Sequence, residues 1–242
     1  MNPRDVAEYL DVTREVEGWF FPIDAYLFAA IDEIQRAEGI RGNLFEIGVH
    51  HGKTAIFLAR MLRDSEVLGV CDVFEQQHLN ADRSGEGSRE LFEKNMRTFG
   101  RPARVFPKLS STLTTDDTTT NCRFFHIDGG HRPEDVFTDL ETADRALHAD
   151  GVVAVDDLFN PSWPGVSEGF YRFLASHPNV FLPILIGGNK VFFARREYAF
   201  PDIHAETDLY RFEHKEWLGR RVLTATRTRW LDLERGVPTS PP

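Results

Sequence analysis

Two cysteines among 242 residues, no run of basic residues and no long apolar stretch each remove a class of protein. Cys71 and Cys122 fall in or beside predicted strands and form no disulfide framework, so a reducing cytoplasm is the expected setting. No apolar run approaches the ~18 residues of a membrane-spanning helix. Met1-Asn2-Pro3-Arg4-Asp5 lacks the apolar core of a signal peptide. The 28 Lys and Arg are outnumbered by 38 Asp and Glu, a net charge of -10 and the reverse of a chain that grips nucleic-acid phosphates. There is no internal repeat and no linker-like segment. What is present is 41% hydrophobic residues, enough to bury a sizeable core in one soluble enzyme-sized unit.

Elements alternate along the chain. After Pro22, Asp24 caps a predicted helix with Leu27, Ile31 and Ile34 on one face and Gly39 near its end. Asn43 to Ile47 is strand-like, and Thr54 to Leu62 reads as a helix. Val67 to Cys71 is a second strand ending at Asp72, and residues 75–89 are a polar loop over the sheet edge. A helix near 89–98 leads to a third strand around Arg104-Val105-Phe106. Ser110 to Asn121, with six threonines, reads as a solvated loop. Pro133 opens a helix with Glu134 and Asp135 in its first turn, burying Val136, Leu140, Ala143 and Leu147 and ending at Gly151. A helix near 166–176 follows. Pro183 to Phe193 then reads as a hairpin around Gly187-Gly188-Asn189. Repeated βα units with a terminal antiparallel hairpin predict a doubly wound α/β sheet, mostly parallel, with helices on both faces. The expected organisation is an N-terminal helical segment over 1–40, a catalytic domain over 41–200 and a C-terminal extension over 201–242. The tail from Arg220 reads as partly a solvated end.

The segment from Phe124 to Asp157 is the most informative. Phe124-Phe125-His126-Ile127-Asp128-Gly129-Gly130-His131 and Val152-Val153-Ala154-Val155-Asp156-Asp157 are two apolar runs ending in acid, a helix-length spacer apart. In an open parallel sheet, ligands gather at the carboxyl ends of strands. Three aspartates and a histidine there point to a metal and a base. Mg2+ takes hard oxygen ligands, and Asp128, Asp156 and Asp157 can converge on one ion from neighbouring strand ends. The plainer account is helix capping and solvated strand ends. For His131 the choice lies between packing at the Arg132-Pro133 helix start and acting as a neutral imidazole base.

Strand one runs into Glu46-Ile47-Gly48-Val49-His50-His51-Gly52-Lys53-Thr54. Glycines let a ligand approach the next helix's N-terminus. Their spacing of four is not the G-x-G-x-x-G of dinucleotide enzymes. Glu46, two residues before the first glycine, suits an amino-acid-bearing cofactor better than a pyrophosphate, which a carboxylate repels. Asp72 is placed to bind ribose hydroxyls, or to serve only as a strand-end or capping acid.

Together, Glu46-x-Gly48-x-x-x-Gly52-x-Thr54, Asp72, Ile127-Asp128-Gly129-Gly130-His131 and Asp156-Asp157 resemble a class I S-adenosylmethionine-dependent methyltransferase with its Rossmann-like sheet. More narrowly, they are similar to Mg-dependent small-molecule O-methyltransferases that act on sugars in macrolide and polysaccharide biosynthesis. The resemblance spans roughly residues 20–195. It implies that Gly48, Gly52 and Thr54 border the methionine moiety, that Asp72 holds the ribose, and that Ser110 or Ser111 lies near the adenine. Asp128 then borders both cofactor and metal. Those enzymes often carry Glu where Asp156 stands, and a second acid, their base, where this chain has Gly130. His131 is left as the candidate catalytic base.

The implied activity is methyl transfer to a hydroxyl of a sugar or glycosylated metabolite. A phenolic or catechol-like acceptor is the alternative, and a non-catalytic nucleotide-binding α/β protein the alternative from another class. Trp163, in Asn160-Pro161-Ser162-Trp163-Pro164-Gly165, can stack on a sugar or sit in a plain loop. Trp19-Phe20-Phe21 lines the acceptor pocket, makes a homodimer contact or is ordinary core. His50 and His51 read as loop histidines, and Asn189-Lys190 as hairpin chemistry.

Overall fold

Short runs of β-branched and aromatic residues alternate with amphipathic segments, and the chain folds as that alternation dictates. The computed structural model describes residues 3–118, 121–198, 210–227, 230–231 and 238–239. Thr119 and Thr120 of the threonine-rich loop and the final residues 240–242 lie outside them. Helix α1 (Pro3–Val12) and helix α2 (Pro22–Ala37) precede strand β1 (Asn43–Ile47), helix α3 (Lys53–Met61) and strand β2 (Leu68–Asp72). Helix α4 (Arg89–Phe99), strands β3 (Arg104–Pro107) and β4 (Cys122–Ile127), helix α5 (Pro133–Ala146), strand β5 (Leu147–Asp156) and helix α6 (Pro164–Ser176) follow. Strands β6 (Leu182–Gly187), β7 (Lys190–Ala194), β8 (Tyr210–Trp217) and β9 (Arg220–Arg227) complete one sheet of order β3-β2-β1-β4-β5-β7-β6-β9-β8.

The expected doubly wound sheet is therefore present. Pairing is parallel from β3 to β5, and β7 runs antiparallel between β5 and β6 as the hairpin signal implied. Between β1 and β4 the order reverses, and the carboxyl ends there open a crevice. Each buried strand presents alternate residues to opposite faces. Leu44, Phe124, Val152 and Phe192 meet α1 to α4, whereas Phe45, Phe125, Val153 and Phe193 meet α5 and α6. Phe28 of α2 packs on Phe124 at 4.7 Å and edge-on to Phe192 at 5.7 Å. Aromatic pairs of this kind contribute about 0.5–1.5 kcal/mol each beyond their buried area.

Three expectations need correction. Asp24 is not the cap of α2 but its third residue. It accepts a hydrogen bond from the Phe21 amide at 2.9 Å, one arm of a capping box. Helix α5 ends at Ala146 rather than at Gly151, because Leu147 is already extended (φ -73°, ψ 132°) and starts β5. Of the tail from Arg220, expected to be partly a solvated end, residues 220–227 are instead a sheet strand: β9 pairs in parallel with β6 at Leu185↔Leu223, and β8 closes on it antiparallel. Trp217 of β8 packs on Phe170 and Phe193. The two-residue turn between them, Leu218-Gly219, has φ of 51° and 68°, the left-handed pair that joins twisted hairpin strands.

Candidate active site

A cleft of about 510 Å³ opens over the carboxyl ends of β1, β2, β4 and β5. Gly48, Thr54, Asp72, Ser110, Ser111, Asp128, His131, Asp156 and Asp157 all line it. Of the residues singled out from the sequence, Glu46 and Gly52 do not.

The cofactor side is held by backbone bonding. Gly48 has φ of 81°, and a Cβ there would stand 1.7 Å from the Asp128 carbonyl oxygen, so only glycine lets the ends of β1 and β4 come this close. Gly52, at φ 89°, is the N-cap of α3, and a Cβ on it would press on the Phe92 ring at 2.9 Å. Asp72 accepts the Val49 and His50 amides on Oδ2 (2.7 and 2.9 Å) and the Phe74 amide on Oδ1 (2.7 Å). Its carboxylate thus clamps the glycine turn as well as facing the cleft. Glu46 lies beneath the floor, 1% exposed, with Oε1 at 3.0 Å from His126 Nδ1 and Oε2 without a partner. Burial first, then Asp128, drives its carboxyl well above the usual range, while burial and Lys190 keep His126 neutral.

The acid side is crowded with charge. Asp128, half-buried at the end of β4, is pushed well above the usual carboxyl range by burial and by Asp156. Asp156 is 4% exposed; its Oδ1 accepts the Asp157 amide at 2.8 Å and its Oδ2 is ion-paired to Lys190. Asp157 sits at φ 58°, held by its amide on the Asn189 carbonyl (2.9 Å). Its Oδ2 lies 3.4 Å from His131 Nε2, and its Oδ1 accepts from Asn160 at 2.9 Å. Burial alone would raise Asp157, but His131 and Asn160 outweigh it and hold the carboxyl low.

The three aspartates do not gather as one set. Their ligand atoms form two groups that share Asp128, one with His126 and Asp156 and one with His131 and Asp157. Hard oxygens, an excess of acid and an elevated Asp128 are what a divalent cation relieves, so the donor set fits Mg2+.

His131 is held from the loop after β2. Asp82 Oδ2 accepts both its amide (2.6 Å) and Nδ1 (2.9 Å), and the indole of Trp163 stacks on the imidazole at 4.2 Å and 19°. Burial opposes charge on this ring, but Asp157 and Asp82 prevail and lift it to about 9. The expected neutral imidazole is therefore an imidazolium here, because two carboxylates bracket it. Trp163 gives one face to His131, leaving only the other for any sugar.

Sequence reasoning missed three residues. Asp82 carried no periodic signal. His126 stood in plain view as a polar residue inside a buried apolar run. Lys190 is no turn residue: it is 1% exposed, opens β7 and faces Asp156 across the ladder. Of the aromatic trio, Phe20 is core at 3% exposure, whereas Trp19 and Phe21, at 55% and 47%, stand at the mouth of the cleft. His50 lines the cleft beside Trp19, and His51 faces Glu17 at 3.4 Å.

Residues 45–158 match a protein-family model described as a methyltransferase domain. Among solved structures, the chain is similar to the O-methyltransferase NovP, with 18% identity and a TM-score of 0.60 over 74% of this chain and 84% of that one. An O-methyltransferase from Bacillus cereus in complex with SAH gives 16% identity and a TM-score of 0.53 over 80% and 90%. CalS11, a TDP-rhamnose 3'-O-methyltransferase of calicheamicin biosynthesis, gives 14% and 0.52 over 80% and 95%. Comparison with curated protein sequences finds no match. The methyltransferase-domain match over residues 45–158 and the Rossmann-like fold shared with these structures agree with the methyltransferase resemblance drawn from the motifs.

Proposed function

We propose that this chain is a Mg2+-dependent O-methyltransferase that moves a methyl group from S-adenosylmethionine to a hydroxyl of a sugar or glycosylated metabolite. The observation that carries the reading is one cleft shared by the glycine turn and by the Asp128, Asp157 and His131 group. S-adenosylmethionine would supply an electrophilic methyl group, and a divalent ion held by the strand-end acids would supply Lewis-acid polarisation of the acceptor hydroxyl.

This chain's own residues do the rest. Gly48, Thr54 and Asp72 seat the methionine and ribose end, and Ser110 and Ser111 border the adenine. Glu46, buried beneath the turn with Oε2 unpaired, is a carboxyl that a cationic amino-acid end above it would favour in its ionised form. A turn fixed by Asp72 would hold the cofactor in one place, which is catalysis by positioning. Asp128, Asp156 and Asp157 provide the acid end that draws the ion. Asp82 holds Nδ1 of His131 and leaves Nε2 toward Asp157. The imidazolium would first have to give up its Nε2 proton, as positive charge arriving on Asp128 and Asp157 would favour, before Nε2 could take the acceptor's proton. A saccharide acceptor is supported by the polar rim of Gln77, Asn80, Ser84, Asn160 and Asn189, which offers hydrogen bonds to several hydroxyls, and by the indoles of Trp19 and Trp163.

The test is methyl transfer from labelled S-adenosylmethionine to a panel of nucleotide sugars, glycosides and catechols. Turnover is expected on a saccharide, abolished by EDTA and restored by Mg2+, with S-adenosylhomocysteine binding unaffected by the chelator. Transfer to catechols alone would replace the acceptor class. Tight NAD binding with no response to S-adenosylhomocysteine would sink the whole reading.

A further inference from the structure

Lys190 is a buried ammonium, 1% exposed, set among acids that the reaction is expected to need for a metal. It faces Asp156 across the β5–β7 ladder, on the same face as His126 and Asp128. Nζ is ion-paired to Asp156 Oδ2, and Phe20 lies under it with the ring centroid at 5.9 Å. Asp24, wholly buried on α2, contributes a further carboxyl whose Oδ1 has no partner. A desolvated ammonium is costly unless carboxylates compensate it, so this lysine cannot leave without exposing the cluster's charge. The Asp156 carboxylate is consequently spoken for on both oxygens, Oδ1 by the Asp157 amide and Oδ2 by Lys190.

The two ligand groups differ in the same sense. The inner one, through His126 and Asp156, is buried, and His126, whose Nε2 has no partner, is absent from the cleft lining. The outer one, Asp128, His131 and Asp157, lines the cleft throughout, where an acceptor hydroxyl arrives.

We infer that the acid cluster has two cation positions: an inner one held permanently by Lys190 on Asp156, and an outer, exchangeable one for a divalent ion on Asp128 and Asp157. Lys190 is thus a positioning residue that keeps Asp156 out of the ion's coordination. Two carboxylates rather than three hold the ion, which leaves more of its sites to acceptor and water and makes it weaker and exchangeable. The inference rests on the metal-dependent reading above and changes its ligand set.

Mn2+ is the probe, its binding followed by the loss of free-ion paramagnetic resonance, with S-adenosylhomocysteine calorimetry as the check that each variant is folded. Asp128→Asn and Asp157→Asn are each expected to weaken Mn2+ at least about 10-fold, because ligand charge sets affinity. Asp156→Asn should stay within about 3-fold of the parent, since its carboxylate is not a ligand. Lys190→Met should tighten Mn2+ about 10-fold by releasing Asp156 as a third carboxylate. Adding Asp156→Asn to that variant should undo the gain. Should Lys190→Met fail to fold, Lys190→Arg, which keeps the cation, should bind Mn2+ like the parent. Loss of Mn2+ in Asp156→Asn as severe as in Asp128→Asn overturns the inference and leaves the metal reading standing. A parent protein that binds S-adenosylhomocysteine but no Mn2+ overturns both.

Discussion

Two charged networks lie under the α2 side of the same sheet, one at each end of β4, and they are built on opposite principles. At the lower end, Arg123 is fully buried and meets Asp32 at 3.0 Å and Glu66 at 3.1 Å, with Gln35 and the Met61 carbonyl taking its other donors. Arg63 joins from α3's end, 3.3 Å from Asp32. Acid and base are matched there. At the upper end, Asp24, Glu46, Asp128, Asp156 and Asp157 crowd around Lys190, and Asp24 Oδ1, Glu46 Oε2 and His126 Nε2 are left without partners. Buried polar groups are nearly always paired, so unpaired ones need a reason. The balanced network stabilises the fold. The unbalanced one is short of positive charge in the place where a sulfonium cofactor and a metal ion would bring it.

The sharpest way to break the comparison is to remove one group from each end. His131→Ala at the upper end is expected to leave folding, Mn2+ binding and S-adenosylhomocysteine binding intact while turnover falls by roughly 10²–10⁴-fold, the usual contribution of a positioned base. Asp82→Ala should give a smaller loss, since it frees Nδ1 but leaves the imidazole in place. Unimpaired turnover in His131→Ala at saturating Mg2+ would return that residue to packing at the start of α5. At the lower end, Arg123→Leu should do the reverse. It takes the buried guanidinium from Glu66 and leaves Asp32 only the longer pairs with Arg63 and Arg36, an expected loss of up to about 3–5 kcal/mol in chemical denaturation. If the variant lost cofactor affinity without losing stability, the two ends would not be separable in this way.

How much of this was legible follows from where each residue sits. The βαβ spacing, the glycine turn and the Asp128 and Asp156-Asp157 strand ends were readable because each is local: a run of β-formers, then an acid or a glycine at a fixed offset. His126 was readable too, as a histidine of wrong polarity in Phe124-Phe125-His126-Ile127, but its partner Glu46 is 80 residues away. Asp82 reaches His131 across 49 residues from an irregular loop, and no periodicity marks such a contact. Lys190 was disguised by position: next to Gly188-Asn189 it reads as turn chemistry, and only the register opposite Asp156 reveals it as interior. Strand β8 was missed because Arg211, Glu213, Lys215 and Glu216 dilute the apolar alternation, as edge strands do to discourage aggregation, and β9 because its arginines and threonines read as a polar tail.

The opposite face offers a control with a single buried acid. Asp139 on α5 is 0% exposed, and burial raises its carboxyl from 3.8 to about 7 against the lowering effect of the Ser110 hydroxyl. A carboxyl raised by folding is protonated in both states below pH 4. From there to pH 7 the unfolded chain ionises and the folded one resists, so stability is lost as pH rises through that window. Asp139→Asn removes this penalty. Its advantage over the parent in urea denaturation should be near zero at pH 4 and grow by pH 8 toward an upper bound of about 4 kcal/mol. A gain that does not depend on pH would mean that the carboxyl does not titrate in this range.

The smallest effect is expected at Asp72, where the two sides of the cleft differ most. The acid end is short of partners, whereas Asp72 has three backbone amides and a place in the cleft lining. Asp72→Ala should weaken S-adenosylhomocysteine by about 1–3 kcal/mol, the cost of leaving buried polar groups unpaired. If Asp72 served only the ribose, the variant would lose affinity and keep its melting temperature. Because the carboxylate also ties Val49, His50 and Phe74 together, both should fall, and Asp72→Asn, which keeps one acceptor oxygen, should lie between Asp72→Ala and the parent in both measurements. Affinity that falls while the melting temperature holds would assign Asp72 to the ribose alone and leave Gly48, hemmed in by the Asp128 carbonyl, as what fixes the turn.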